Sequence, residues 1–410
     1  MHRTSVFNLS TCVPLAKAAL VLILASYALA HAAPFTPGAD GQVLERLPAR
    51  ATDPRARDLA RLREAWRAQP QNLDSALRLA RAYYDAVAAE GDPRYIGYAQ
   101  AALQPWWNDP APPPGVRVQR AVLRQFDHQF EAALADLDAA LQADPELADA
   151  WAWRAAIHLV RADYAQARRS CEGLASRAPR LIGVACTAQV DAVTGRAAAA
   201  ASSLQAALEA QTDADPAQRL WALTRLAETH ERIGAWTAAE AAFRDGLAVG
   251  RDDVYLLAAY ADFLLDRGRP AEVQLLLKDR GRADVLLLRQ ALAARALGSP
   301  NAPQAAALGR ELDARFAAAR ARGDTTHQKE EARYLLGLRA HEPASLQAAL
   351  TLAGSNFAEQ REPADARLLL EAALAARDRS AAEPALKWMT ESRIESVALA
   401  GLASRVKGLR

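Results

Sequence analysis

The sequence has few aromatic residues, and signals for β-strands are nearly absent. Aromatic side chains make up 6% of the 410 residues, although half of the chain (51%) is apolar and runs of alanine occur throughout. Alanine is the best helix former, whereas strands are enriched in aromatic and β-branched residues. The composition therefore favours closely packed helices over a β-sheet core.

The sequence also lacks the common catalytic motifs. It has no pair of histidines flanking a glutamate as in zinc proteases, no nucleophile elbow, no glycine-rich phosphate loop and no paired-cysteine metal motif. The seven histidines are scattered, and His158 and His230 occupy helix positions typical of packing residues. We therefore expect no catalytic residues, no metal site and no cofactor, and we predict that the protein is not an enzyme.

The chain has almost no net charge, and its one long apolar run lies near the N-terminus. Arg3 and Lys17 precede an apolar stretch at residues 18–30, and small residues follow it. This pattern is typical of a secretory signal peptide cleaved between Ala32 and Ala33. The alternative is an uncleaved membrane anchor, but the apolar stretch is shorter than a membrane-spanning helix requires. Cleavage would take the formal charge from +2 to 0, which gives no support for nucleic-acid binding. No later run is long enough to span a bilayer.

A chain of this length should form several domains or one elongated repeat array. In one stretch, bulky aromatic residues alternate with alanines and a proline follows: Trp151, Ala155, Tyr164, Ala167 and Pro179. The two alanines would let paired helices approach closely, the aromatic side chains would fill the space around them, and the proline would end the second helix. The pattern predicts a helical hairpin.

The hairpin pattern recurs with a fixed period. Pro145 precedes Pro179 by 34 residues, and Gly234 precedes Gly268 by 34 residues. In this signature the chain resembles the tetratricopeptide repeat family, whose repeats are 34 residues long. The resemblance implies an all-α, tetratricopeptide-type solenoid of helical hairpins wound into a right-handed superhelix. More narrowly, residues 91–99 and 361–371 resemble segments of exported bacterial repeat proteins of unassigned role.

The pattern divides the chain into three predicted parts. Residues 1–32 form the signal peptide, residues 33–57 a flexible lead-in, and residues 58–408 a solenoid of roughly nine helix pairs. A proline-rich connector at 108–115 should interrupt the helices. Between 286 and 352 the signature blurs, and it does not determine the repeat register there.

Two cysteines remain after removal of the leader. Cys171 falls late in the second helix of one predicted repeat, and Cys186 falls early in the first helix of the next. Antiparallel neighbours would bring the two positions together in an oxidising compartment. We predict a disulfide, and the alternative is a pair of separate buried thiols.

The first helices of a tetratricopeptide solenoid line its concave groove. The repeat register places six candidate partner-binding residues there: Gln189, Trp221, Glu228, Arg232, Tyr255 and Asp262. The aromatic residues would anchor a partner and the charged residues would set specificity. The alternative is that the aromatic residues pack against the adjacent helix and the charged residues form an ordinary solvated face.

These features together favour a periplasmic scaffold or adaptor of a bacterium. It would bind other proteins or peptides, envelope proteins above all, through the concave groove. The alternative is an accessory subunit for envelope polysaccharide export or modification, in which Trp106 and Trp107 would stack on sugar rings.

Overall fold

The computed structural model describes residues 53–324 and 326–409, and all regular structure within them is helical. The predicted leader, with its cleavage site at Ala32 and Ala33, lies outside the described residues. The helices, numbered in chain order, are α1 (Pro54–Ala68), α2 (Leu73–Glu90), α3 (Arg94–Ala102), α4 (Gln104–Trp107), α5 (Pro114–Phe126), α6 (Phe130–Ala143), α7 (Ala148–Val160), α8 (Tyr164–Ala175), α9 (Arg180–Ala192), α10 (Ala197–Ala210), α11 (Pro216–Arg232), α12 (Trp236–Ala248), α13 (Val254–Asp266), α14 (Pro270–Leu276), α15 (Asp284–Ala296), α16 (Ala302–Ala321), α17 (Gln328–Leu338), α18 (Pro343–Glu359), α19 (Pro363–Ala376), α20 (Glu383–Ser392) and α21 (Val397–Lys407).

Consecutive helices pack as hairpins, and each first helix also packs on the first helix of the next hairpin. The turns inside five successive hairpins each place one residue in the left-handed region, at His128, Ala162, Gly195, Gly234 and Gly268. These residues are 34, 33, 39 and 34 positions apart. The period that the sequence predicts is therefore present in the backbone. The prediction of an all-α, tetratricopeptide-type solenoid is confirmed.

The hairpins are held together by small side chains. Ala155 and Ala167, the signature alanines, are buried between α7, α8 and α9, where Leu174 and Val190 also pack. The same pattern of alanines with one larger side chain recurs in the hairpin of α11 and α12, where Phe243 is fully buried. Close approach of the helix backbones follows from these small residues, because a larger side chain would hold the helices apart.

Helix starts follow local chemistry where the repeat spacing is irregular. The 39-residue interval contains Asp215, whose carboxylate accepts hydrogen bonds from the backbone N–H groups of Ala217 and Gln218, and Pro216 occupies the first helical position. The capping residue and the proline together determine where α11 begins. In the connector, helix α5 begins already at Pro114, so the last two residues of the predicted 108–115 interruption are helical. Proline is tolerated there because its missing N–H would be unpaired in any case.

The region of blurred signature forms two further hairpins, α15 with α16 and α17 with α18. Leu312, Phe316 and Tyr334 form the core between them with leucines of α15. At the C-terminal end, α21 packs on α19 through buried residues that include Leu399 and Val406. The helices from α2 onward belong to one compact unit spanning Asp58–Arg410, and α1 begins before that boundary.

The C-terminal strap, which we define as residues 359–397, runs along the hairpin turns of earlier repeats. The backbone N–H of Arg361 donates to the carbonyl oxygen of Val160 at 2.8 Å, beside the α7–α8 turn. The indole N–H of Trp388 donates to the hydroxyl oxygen of Tyr164 at 2.7 Å. Repeats far apart in the sequence are therefore joined directly by hydrogen bonds.

The strap continues across the next two turns. The carboxylate of Glu395 accepts the backbone N–H of Ala197 at 2.7 Å, and a Cβ atom on Gly195 would lie 3.2 Å from the backbone oxygen of Arg393. Val397 lies against Gly234. Glycine suits both turn positions because each has a positive φ, and at Gly195 the strap backbone also leaves little room for a side chain.

Candidate functional site

The first helices of successive hairpins pack on one another and form a continuous surface, which the tetratricopeptide-type fold predicts to be the inner face of the solenoid. On α11, Trp221, Arg225, Glu228 and Arg232 follow one another at intervals of three or four residues. This spacing places them on one side of the helix. On α13, Tyr255 faces the same surface as the α11 residues, as its contacts show.

Arg225, Glu228 and Tyr255 form a closed polar triad, which we call the groove triad. The Tyr255 hydroxyl donates to the Glu228 carboxylate at 2.6 Å, and the Arg225 guanidinium donates to the same carboxylate and to the tyrosine oxygen, both at 2.9 Å. The guanidinium carbon lies 4.3 Å from the centre of the tyrosine ring. Yet 47% of the Tyr255 surface is exposed. The triad therefore presents an aromatic ring to solvent in a fixed orientation.

Arg232 lies one turn beyond Glu228 and has no carboxylate in contact among the described residues. Its Nε atom is buried without a hydrogen-bond partner, and one terminal nitrogen donates to Thr229 at 3.2 Å. Burial lowers the pKa of Arg232 below the ordinary arginine value, although Glu228 and Tyr255 oppose this effect. A cation with unused donors therefore lies next to the groove triad.

Asp262 is engaged by the chain itself. Arg289 of α15 donates two hydrogen bonds to its carboxylate, at 3.0 and 2.7 Å, and Arg333 of α17 donates a third at 2.6 Å. Although burial opposes charge on this carboxylate, the two arginines hold the pKa of Asp262 well below its ordinary value. The carboxylate therefore links three successive first helices, α13, α15 and α17. It already accepts three hydrogen bonds, so it has little capacity left to accept one from a partner.

The other two predicted groove residues differ in their surroundings. Trp221 is partly buried and packs against the core cluster that contains Leu220 and Leu223. Gln189 is partly buried on α9, two repeats before Tyr255. The structure brings Glu228, Arg232 and Tyr255 together and places Asp262 in a separate ion-pair cluster.

Sequence reasoning missed Arg225, the centre of the groove triad. Its signal was present, because Arg225 lies four residues after Trp221 and three before Glu228 on the same helical face. Arg333 carried no such signal, since its contact with Asp262 depends on how two non-adjacent repeats are wound.

The predicted disulfide is present. Cys171 of α8 and Cys186 of α9 are bonded, with their Cα atoms 5.5 Å apart. Both cysteines are buried in the core cluster between these repeats. Within residues 53–324 and 326–409, no group of three or more histidine, cysteine or acidic side chains is arranged to hold a metal ion. In the same residues, no helix combines the length and apolar character needed to cross a membrane.

Glu231, on the turn of α11 next to Arg232, has a perturbed carboxyl group. Burial raises its pKa from 4.5 to about 8, and the neighbouring carboxylates of Asp266, Glu228 and Asp262 add to the effect. Between pH 4.5 and 8, the folded chain therefore holds a proton that the unfolded chain has released. The stability linked to this group is complete below pH 4.5 and is lost as the pH rises through 8.

We predict that Glu231→Gln flattens this pH dependence. The neutral amide cannot ionise, so the variant should exceed the wild type in unfolding free energy by about 1–3 kcal/mol at pH 8 and match it near pH 5. Urea unfolding at both pH values measures the difference. Glu131→Gln, at a side chain that is 86% exposed, is the control for loss of one carboxylate. Equal pH profiles for Glu231→Gln and the wild type would contradict the prediction.

Comparison with known proteins found no matching family model and no match among curated proteins. Several solved structures are similar in part. PilW, a type IV pilus biogenesis factor, is 22% identical with a TM-score of 0.40, over 50% of this chain and 93% of that one. A tetratricopeptide repeat protein from Parabacteroides merdae is 15% identical with a TM-score of 0.37, over 58% and 93% of the two chains.

PilF of Pseudomonas aeruginosa is 15% identical with a TM-score of 0.33, over 61% of this chain and 99% of that one. At these identities and TM-scores, none of the similarities indicates what this chain binds. The assignment of the tetratricopeptide-type fold rests on the chain's own hairpins and on the 34-residue spacing of their turns.

Proposed function

We propose that this protein is a protein-interaction scaffold that binds a partner protein on its inner face, at the groove triad and Arg232. The observation that carries the proposal is the half-exposed ring of Tyr255, held in place by Arg225 and Glu228. Tyrosine and arginine are enriched among the residues that contribute most to binding energy at protein interfaces. A ring that is already fixed loses little conformational entropy when a partner covers it.

Arg232 supports the same site. Its donors are largely unused, and its guanidinium lies beside the triad. A partner that supplied an acceptor would satisfy a buried donor that otherwise has none, which is favourable because unpaired buried polar groups are costly. Solenoids present such extended concave surfaces to peptides and helices.

Site-specific photo-crosslinking tests the proposal. A photo-reactive amino acid at position 255 should trap a defined partner from the envelope of the producing bacterium, and the trapped partner can then be purified for binding measurements. We expect Tyr255→Ala to weaken binding of that purified partner by roughly thirtyfold, the loss typical of a 2 kcal/mol interface residue. Leu275→Ala is the matched control, because Leu275 is a large apolar residue that is 76% exposed on α14, a second helix. Equal affinities of Tyr255→Ala and Leu275→Ala would contradict the groove assignment.

Export to the periplasm is part of the proposal. It is supported by the leader-like sequence of residues 1–32 and by the disulfide, a bond that persists in oxidising compartments. Envelope proteins would then be the available partners. No specific observation supports the alternative of a polysaccharide-binding subunit. Trp106 and Trp107, which would stack on sugar rings, are partly buried against the core cluster of the first repeats.

A further inference from the structure

An open cleft lies on the solenoid where the C-terminal strap passes α8 and the α9–α10 turn. Its volume is about 880 Å³, within the range of ligand pockets, and its wall is formed by these three segments. None of its lining residues belongs to α11 or α13, so the cleft is separate from the groove triad. It exists only because the strap folds back onto repeats that lie some two hundred residues earlier in the sequence.

Four arginines line the cleft, and two of them have guanidinium groups with spare donors. Arg168 and Arg196 both pair with Asp191. Arg169 donates a side-chain hydrogen bond to Gln166, and no ion pair of Arg169 or Arg393 is found within the described residues. Two cations from different segments therefore face one concavity without a carboxylate of their own.

Two carboxylates temper this positive charge. Glu172 lies on the same face of α8 as Arg168, and Glu395 accepts the backbone N–H of Ala197. A uniformly charged polyanion would meet repulsion at both positions. A short segment that carries separated carboxylates can place them at the free arginines and avoid the two glutamates. The charge pattern therefore favours a discrete acidic motif.

We propose that this cleft is a second binding site, which takes an acidic segment of a partner protein. Carboxylates of aspartate or glutamate in that segment pair with Arg169 and Arg393, since guanidinium groups bind carboxylates through paired, charge-assisted hydrogen bonds. Arg168 and Arg196 also line the cleft and share the single carboxylate of Asp191, so together they add positive potential. Glu172 disfavours partner segments that place a carboxylate near it.

A labelled peptide that carries two glutamates separated by neutral residues tests the site on the full mature chain with its disulfide intact. Fluorescence anisotropy at low ionic strength should detect binding that weakens as salt is added. Arg169→Gln and Arg393→Gln should each weaken binding about two- to fivefold, the range for solvent-exposed ion pairs, and the double variant should combine the losses. Glu172→Gln should tighten binding by about twofold, because it removes a repulsive charge.

Three comparisons decide the outcome. Arg310→Gln, at an exposed arginine on α16, should leave binding unchanged, and so should Tyr255→Ala, which separates this site from the groove triad. The proposal is overturned if the double arginine variant binds like the wild type, or if Glu172→Gln fails to tighten binding. It is also overturned in favour of a glycan if an oligoglucuronate displaces the label more strongly than the unlabelled glutamate peptide does. Unchanged near-ultraviolet circular dichroism confirms that the variants remain folded.

Discussion

Asp365→Ala should lower the unfolding free energy by about 3 kcal/mol, because Asp365 is the acceptor for three donors inside the solenoid. Its side chain is 0% exposed and pairs with the ammonium group of Lys329 at 2.8 Å. It also accepts the side-chain N–H of Asn356 and the backbone N–H of Glu362, both at 3.0 Å. Alanine would leave all three donors without an acceptor, including a charged one. Urea unfolding of the purified variant measures the loss.

Two matched variants identify the cause of that loss. Asp149→Ala removes a carboxylate that also pairs with an arginine, but there both side chains are more than half exposed. We expect a cost of no more than about 1 kcal/mol for that surface pair. In a Lys329→Met background, Asp365→Ala should cost less than in the wild type, because no ammonium group is stranded. The same cost in both backgrounds would show that the ion pair contributes nothing.

The local part of this fold was predictable from the sequence. The recurring alanine positions and the turn glycines Gly234 and Gly268 report contacts within a hairpin, and these contacts depend on residues fewer than 35 positions apart. Asp215 and Pro216 similarly mark a helix start, because capping involves only the adjacent turn. Each of these signals lies within a single repeat.

Contacts between distant repeats could not be predicted in this way. The winding of a solenoid is the sum of small rotations from one repeat to the next. A few degrees per repeat decide whether Arg333 reaches Asp262, and whether Trp388 meets Tyr164. The position of the strap, the cleft that it helps to line, and the pairing of Asp262 with two arginines all depend on that sum. The sequence therefore predicts which residues share one face of a first helix, but not the pairs that these residues form.

The disulfide is an intermediate case, since it joins two helices of adjacent repeats across one turn. Removing it with the double change Cys171→Ala and Cys186→Ala should lower the unfolding free energy by about 3 kcal/mol, because the cross-link restricts the unfolded chain over a 15-residue separation. Unfolding of the wild type with and without reductant should give the same difference. The single variant Cys171→Ala should cost as much as the double variant, because either change breaks the bond.

The disulfide also links the stability of the protein to the compartment that we propose for it. Protein made with its leader and recovered from the periplasm should contain no free thiol at Cys171 or Cys186, whereas protein made without residues 1–32 in a reducing cytosol should contain two. Thiol labelling followed by mass spectrometry counts them. If the exported protein carries two free thiols, or if reduction leaves the unfolding free energy unchanged, then the bond does not stabilise the working protein. The hairpins α7–α8 and α9–α10 would in that case be held together by packing of side chains that include Leu174 and Val190.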